Sequence, residues 1–538
     1  MRSTRTRRQQ PPPLLIGAAV VAVVVTAIPL LYLLVRTVDA GGESIISALW
    51  RERTFDTTVT SLTLVLSVIV GCLVLAVPTA WLLARTNLPG RSLFLVTAAL
   101  PLAVPSYVMA YAWIAEFPGM SGLWAAIWVM SLATFPYVAI PLTAALRSQD
   151  AGQEEAARSL GLGPLATARR VTIPMAWPAA AAGLLLAALY TLSEFGTVAI
   201  FRVDAFTRVI YTAYRASFDR TSAAVLSLLL VALALLLVIV EARVRGRASR
   251  WRLGSGVKRA VPRQELSRRA NALGLAWMIA LTVVSLGVPA WSLTMRLLET
   301  RRFGFDFTEL LGALAGSVTA SAIGAAIAIA LALPIAILAA RYTSRVVRGI
   351  EGAAFLGHAL PGVVVGLSLV FLTLALLPAA YQTLITLAFA YAVLFLPKAI
   401  GASRSSIEAV PPALESTARS LGRGPVRAWF TVTGRLAWPG IAAGALLVLL
   451  TAMKELPATL MLRPTGFNTL ATELWSRTDI EAFGDAAPYA LAMILLASVP
   501  AWLMGRWLAG TPGADRRDGT EHDEPVHAQQ VTYVGGAR

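Results

Sequence analysis

Apolar runs long enough to cross about 30 Å of hydrocarbon recur roughly twelve times along this chain, a pattern that soluble folds do not carry. They lie near 14–35, 58–84, 92–114, 122–146, 177–200, 222–241, 271–295, 313–340, 351–377, 380–402, 437–462 and 486–509. A helix carries backbone through lipid because it satisfies each N–H and C=O within the segment. With 57% hydrophobic and 14% charged residues over 538 positions, the chain has too little polar surface to cover soluble cores of this size. The expected fold class is an all-α polytopic membrane protein. The first run follows Arg2, Arg5, Arg7 and Arg8, but it is longer than a secretory signal core and has no small-residue cleavage site, so it reads as a retained helix.

The formal net charge of +17 invites a nucleic-acid reading, which the distribution of charge argues against. If the N-terminus is inside, most Lys and Arg fall in inside segments, the bias that orients membrane helices. The inside then holds both termini and the basic linker at 242–270, and the lipid bilayer is the partner that this basicity serves. Cys72 is alone in the second run and cannot form an intrachain disulfide. His522 and His527 lie in a polar tail that reads as solvated, and no metal site is expected. His358 reads as a packed polar residue.

A polar turn occurs twice between apolar runs: "EEAARSLGLGPLATARRVTIP" from Glu154 and "LESTARSLGRGPVRAWFTVTGR" from Leu414. An offset of 261 maps Glu154 to Glu415, Gly161 to Gly422, Gly163 to Gly424, Pro164 to Pro425, Trp177 and Pro178 to Trp438 and Pro439, Gly183 to Gly444, and Glu194 to Glu455. Upstream, Pro29 pairs with Pro289, Pro78 with Pro334, and "ALP" at 99–101 with "ALP" at 359–361. Six runs per half is an even number, so both copies share one orientation. The boundaries are a tail at 1–13, a first half at 14–241 (core about 57–241), the linker at 242–270, a second half at 271–509 (core about 313–509) and a tail at 510–538.

Local chemistry makes each turn two short helices joined by a bend. The acidic residues suit a first helical turn, Glu154 and Arg158 stand four apart, as do Glu415 and Arg419, and Gly161 and Gly163 permit a tight or left-handed backbone before Pro164 starts the next helix. Small residues at Ala156 and Ala157 leave a smooth flank for another surface.

These residues resemble the "EAA" signature of binding-protein-dependent ABC importer permeases. The first copy reads Glu155, Ala156, Ala157, Gly161, Val171, Ile173 and Pro174, with Val171 where the signature has Ile and Ile173 where it has Leu. The second has Ser416, Thr417, Ala418, Gly422, Val432, Gly434 and Arg435, with Glu415 one residue earlier. The segments "EFGTVAIFRVDAFTRVIYTAYRASFD" at 194–219 and "MKELPATLMLRPTGFNTLATELWSRT" at 453–478 are similar to those of fused ferric-iron importer permeases. The resemblance implies two tandem six-helix halves of the type I importer kind and alternating access. It implies coupling helices at Glu154, Glu155, Ala156, Ala157, Gly161, Gly163, Glu415, Ala418, Gly422 and Gly424. The partners it implies are two cytoplasmic ABC ATPase subunits and an extracellular or periplasmic binding protein. Thiamine, phosphonate, sulfate and polyamine permeases share this architecture.

The chain is not expected to be an enzyme. Its three lysines, Lys258, Lys398 and Lys454, are followed by Arg, Ala and Glu, so none completes a P-loop, and no cofactor is expected to bind; ATP would be used by the partner subunits. Glu194 and Glu455 occupy equivalent positions sixteen residues after Trp-Pro, about 24 Å along a helix. With Tyr190, and with Tyr211 and Tyr214 nearby, they are candidates for a pathway or gate, the alternative being carboxylates that hydrogen-bond a helix end. Pro101, Pro136, Pro361 and Pro397 are candidate bends or packed kinks. A major-facilitator transporter also has six plus six helices, but its basic loop after the second helix is absent from "ARTNLPGRSL".

Overall fold

The computed structural model describes residues 11–215, 219–248, 261–303, 305–355, 357 and 360–509. The tail at 510–538, most of the N-terminal tail, part of the linker, and His358, His522 and His527 lie outside the described residues. The first half runs through α1 (Pro13–Asp39), α2 (Gly42–Leu49), α3 (Glu52–Arg85), α4 (Arg91–Ala99), α5 (Ser106–Glu116) and α6 (Gly122–Arg147). It continues with α7 (Ala151–Ser159), α8 (Pro164–Thr167), α9 (Ile173–Ser193), α10 (Gly196–Ile200), α11 (Phe206–Arg215) and α12 (Arg220–Ala248). The second half opens with α13 (Arg268–Thr282) and α14 (Val288–Phe303), then α15 (Phe307–Arg341), α16 (Arg345–Phe355), α17 (Gly362–Leu376) and α18 (Leu384–Glu408). It closes with α19 (Pro412–Ser420), α20 (Pro425–Ala428), α21 (Arg435–Ala452), α22 (Pro457–Leu462), α23 (Leu470–Asp479) and α24 (Phe483–Ala509).

Among the described residues, nine helices are long and apolar enough to cross a membrane, or ten if one bent pair is a single span. The expected run at 92–114 is that pair: Arg91–Leu102 and Ser106–Glu116 meet at 95°. Pro105 is the N-cap of α5 and has no N–H with which to continue the ladder. The run at 351–377 breaks in the same place, with Pro361 as the N-cap of α17. The proline matching Pro361 by position is therefore Pro105 rather than Pro101, which sits in the preceding 3-10 turn. Pro136 and Pro397 lie inside continuous helices. The Trp-Pro pairs also fall inside helices: the expected runs at 177–200 and 437–462 are instead Pro164–Ser193 and Pro425–Ala452. Each begins with a short α-turn and a widened π-turn, at Ala168–Thr172 and Trp429–Gly434.

The central helices cross where small residues let backbones approach. A Cβ on Gly183 would stand 2.3 Å from the Tyr137 carbonyl oxygen, and one on the equivalent Gly444 would stand 2.7 Å from Ala402 Cβ. The opening helices exchange places. Ala19 and Ala22 of α1 pack in one cluster with Ala325, Ala328 and Ala332 of α15 and Val347 and Ile350 of α16. Reciprocally, Met278 and Leu281 of α13 join the first half's core, Trp277 donates to Thr79 Oγ1 at 3.1 Å, and Arg296 donates to the Ala115 carbonyl. Each half's core is completed by the other's first helix.

Candidate docking turns and gate

The two polar turns share one backbone. Gly161 has φ +86° and Gly422 φ +88°, a region L side chains rarely enter. Leu162 N–H donates to the Ala157 carbonyl and Gly161 N–H to that of Arg158; Arg423 and Gly422 donate to Ala418 and Arg419 in the same way. This six-to-one, five-to-two pairing closes α7 and α19 with a left-handed glycine. Gly163 and Gly424 are extended N-caps, and Pro164 and Pro425 fill the first helical position, where a missing N–H costs nothing. Each bend displays two apolar side chains at matching places, Leu160 (83% exposed) and Leu165 (74%) on one, Leu421 (78%) and Val426 (71%) on the other.

Beneath these turns the halves differ. Glu154 does not take Arg158: its Oε1 accepts from Arg85 Nη2 at 2.8 Å and from Thr172 Oγ1 at 2.9 Å. Arg85 also donates to the Gln149 side chain, whose Nε2 donates to the Thr172 carbonyl at 2.8 Å. This buried network ties α7 to the C-terminal end of α3 and the start of the π-turned span. In the second half, Glu415 accepts from Thr433 Oγ1 at 2.8 Å, matching Thr172, but the guanidinium is lost from the set. Arg341, the counterpart of Arg85, donates Nη1 to the Val410 carbonyl at 2.9 Å, and its buried Nε and Nη2 have no partner. Val410 occupies the position of Gln149, so the side-chain acceptor is gone.

Glu194 and Glu455 follow the ends of α9 and α21, and each caps the short helix after it. Glu194 Oε1 accepts from Thr197 N–H at 3.0 Å and Oε2 from Ser106 Oγ at 2.7 Å, with Tyr190 OH 2.8 Å from the same hydroxyl. Glu455 accepts from the N–H groups of Ala458 at 3.1 Å and Thr459 at 3.3 Å. Ser106, the first residue of α5, is replaced at the start of α17 by Gly362, where a Cβ would meet Glu455 Oε1 at 2.0 Å. Tyr391 OH pairs with Thr459 Oγ1 at 2.7 Å. The halves are stitched at this level: Lys454 Nζ donates to the Ala103 carbonyl at 2.7 Å, Tyr107 OH to the Lys454 carbonyl at 3.4 Å, and the rings of Phe195 and Trp475 stand 5.3 Å apart. Buried Tyr107 lies within electrostatic reach of both carboxylates.

Of the expected docking residues, Glu155, Ala156, Gly161, Gly163, Gly422 and Gly424 are exposed, whereas Glu154, Ala157 and Ala418 face inward and Glu415 is half-buried. Glu194, Glu455 and Tyr190 come together with Ser106, Tyr107, Tyr391 and Lys454. The sequence reading missed Ser106, Tyr107 and Tyr391; the two proline breaks just before Ser106 and Gly362 were the available signal. Tyr211 lies against Phe195 and Tyr214 against Phe371, away from these carboxylates' hydrogen bonds. Among the described residues no three His, Cys, Asp or Glu side chains gather as a metal site.

A duplicated helical membrane core with one polar glycine bend per half is the frame on which the comparisons with known proteins bear. The chain belongs to the family described as binding-protein-dependent transport system inner membrane component, which matches residues 76–250 and again 332–507. It is 32% identical over 485 residues to the Fe(3+)-transport system permease protein FbpB 2 of Haemophilus influenzae, covering 89% of this chain and 95% of that one. Single-half relatives include the molybdenum transport system permease protein ModB of Escherichia coli K12, 29% identical over 32% of this chain and 86% of its own length. The sulfate transport system permease protein CysW of Synechocystis is 29% identical over 40% of this chain and 87% of its own. The protein is thus an ABC importer permease and multi-pass membrane protein, and not itself an enzyme.

Proposed function

We propose that the chain forms the membrane pathway of an ATP-driven importer of ferric iron delivered by an extracellular binding protein, with both termini and both docking turns on the cytoplasmic side. Similarity along nearly the full length to a permease named for Fe(3+) carries the choice of cargo. Two identical ATPase subunits would each receive one bend, its exposed apolar pair entering a groove and its left-handed glycine keeping the bend compact. ATP-driven closure of those subunits would move the halves relative to one another and open the stitched level to the outside. ATP binding and the loaded binding protein must each favour that outward state over the inward one.

Glu194 and Glu455 act in this reading as gate residues. Their oxygens are already engaged by helix-end N–H groups, so opening must exchange those hydrogen bonds or move the capped helices with them. Uptake of labelled ferric iron by a deletion strain, with and without the gene restored, tests the cargo; sulfate or molybdate uptake in its place would replace it, as the half-length relatives allow. Transport by the purified chain in vesicles without nucleotide or companion subunits would end the ATP-driven reading.

A further inference from the structure

The end of the linker does not hang free. Gln264 N–H donates to the Arg85 carbonyl at 2.7 Å, Asn87 N–H returns to the Gln264 carbonyl at 3.3 Å, and Leu266 N–H donates to Asn87 Oδ1 at 3.3 Å. Beside this clasp lies a cavity of about 200 Å³ lined by Ala84, Arg85, Arg91, Leu146, Arg147, Val261 and Arg263. Four guanidinium groups from three separate parts of the chain therefore border one space. Glu154 neutralises Arg85. Among the described residues no carboxylate lies within ion-pair distance of Arg91, Arg147 or Arg263, and Arg263 repels both of the others. Arg147 is anchored only by donating to the Leu83 carbonyl at 2.9 Å.

Convergence of like charges around an open space is unfavourable unless something anionic offsets it. The arrangement is not a by-product of duplication, because the residue matching Arg147 is Glu408, which pairs with Arg404, itself paired with Glu351. The wall also includes the start of α4, whose N-cap Gly90 offers no side-chain acceptor to the first-turn amides. Guanidinium groups suit phosphate oxygens through paired N–H donors, and the volume exceeds several waters at about 30 Å³ each. On the same helix Leu93 is 62% and Val96 56% exposed, apolar surface that acyl chains would cover beside the basic pocket.

We propose that the cavity beside the linker clasp is a binding site for a phosphate-bearing anion, supplied by a phospholipid headgroup or by soluble phosphate. Arg85 belongs both to this site and to the Glu154 network, so an occupant sits one side chain from the first docking turn. The site does not depend on which cargo is carried.

The test uses the purified full-length chain. In one arm it is placed in nanodiscs of phosphatidylcholine with or without phosphatidylglycerol, and retained lipid is counted by native mass spectrometry. In the other, inorganic phosphate and pyrophosphate are titrated calorimetrically in neutral detergent. Selective retention of phosphatidylglycerol identifies a headgroup; binding of the free anions without lipid selectivity identifies a soluble ligand. With either source, Arg91→Ala/Arg263→Ala should weaken binding at least about tenfold, Arg91→Lys/Arg263→Lys should weaken it less because the charge is kept and only the paired donors are lost, and salt should oppose it. Absence of selectivity for either anion, undiminished binding by the alanine pair, or wild-type binding insensitive to salt would overturn the proposal. The salt dependence needs no variant and stands even where the alanine pair fails to fold.

Discussion

The bend after α7 and the bend after α19 have the same glycine geometry and carbonyl pairing, yet one rests on a buried ion-paired network and the other on a threonine hydrogen bond to Glu415 and one bond from a poorly satisfied arginine. The left-handed φ admits few residues besides glycine, so the backbone of a duplicated turn cannot drift far. The support beneath it can, because one change, Gln149 in one copy and Val410 in the other, removes an acceptor without altering the fold. The two turns are thus alike in what they present and unlike in how firmly it is held.

The largest effect is expected from attacking what they share. Gly161→Leu with Gly422→Leu should abolish uptake while the protein remains inserted and abundant on membrane immunoblots; normal uptake would remove the docking role from both turns. Attacking what differs should split them. Arg85→Ala leaves a buried carboxylate unpaired, at a cost of about 3–5 kcal/mol. Arg341→Ala loses one hydrogen bond, about 0.5–1.5 kcal/mol. Hydrogen exchange should accordingly quicken in α7 far more than in α19, and equal responses would erase the distinction. Val410→Gln should give Arg341 the acceptor that Arg85 already has and slow exchange in α19 by an amount equivalent to about 1 kcal/mol; no change would mean that geometry, and not the missing amide, separates the copies.

The smallest effect lies at the opposite end of the halves. The first joins the start of α3 to that of α12 through Arg51 and Asp219 at 3.1 Å, while the second joins α15 to α23 through Glu309 and Arg477 at 2.8 Å. Partial burial works to raise the Asp219 carboxyl, but the hydroxyl and N–H of Ser222, and then Arg51, hold it below the ordinary carboxylate range. Its contribution is full above the unfolded-state value and is lost as pH falls through the lowered folded one. For so exposed a pair that is about 0–1 kcal/mol. Asp219→Asn should remove this acid-side loss from a thermal-stability profile, and an unchanged profile would assign the loss elsewhere.

Much of this comparison was legible in residue order alone. The 261-residue register carried the glycine bends and the paired Glu194 and Glu455 directly, because local conformation dictates those residue types. The breaks before α5 and α17 were hidden because hydropathy registers apolarity and is indifferent to a proline's absent donor. The support for α7 was hidden for a different reason: Arg85 and Glu154 are 69 positions apart, and the nearer Arg158 offered a satisfying local pair. The reciprocal placement of α1 and α13 left no trace at all, since an apolar stripe looks the same whichever groove it fills.

That exchange of opening helices bears on how the chain is made. Helix α1 is seated against α15 and α16, which are synthesised only after the rest of the first bundle, so it must wait in lipid with its alanine face uncovered. A gene split at the linker would yield two products, each carrying a strap cut to fit its sibling, and neither would reach its final packing until the two met.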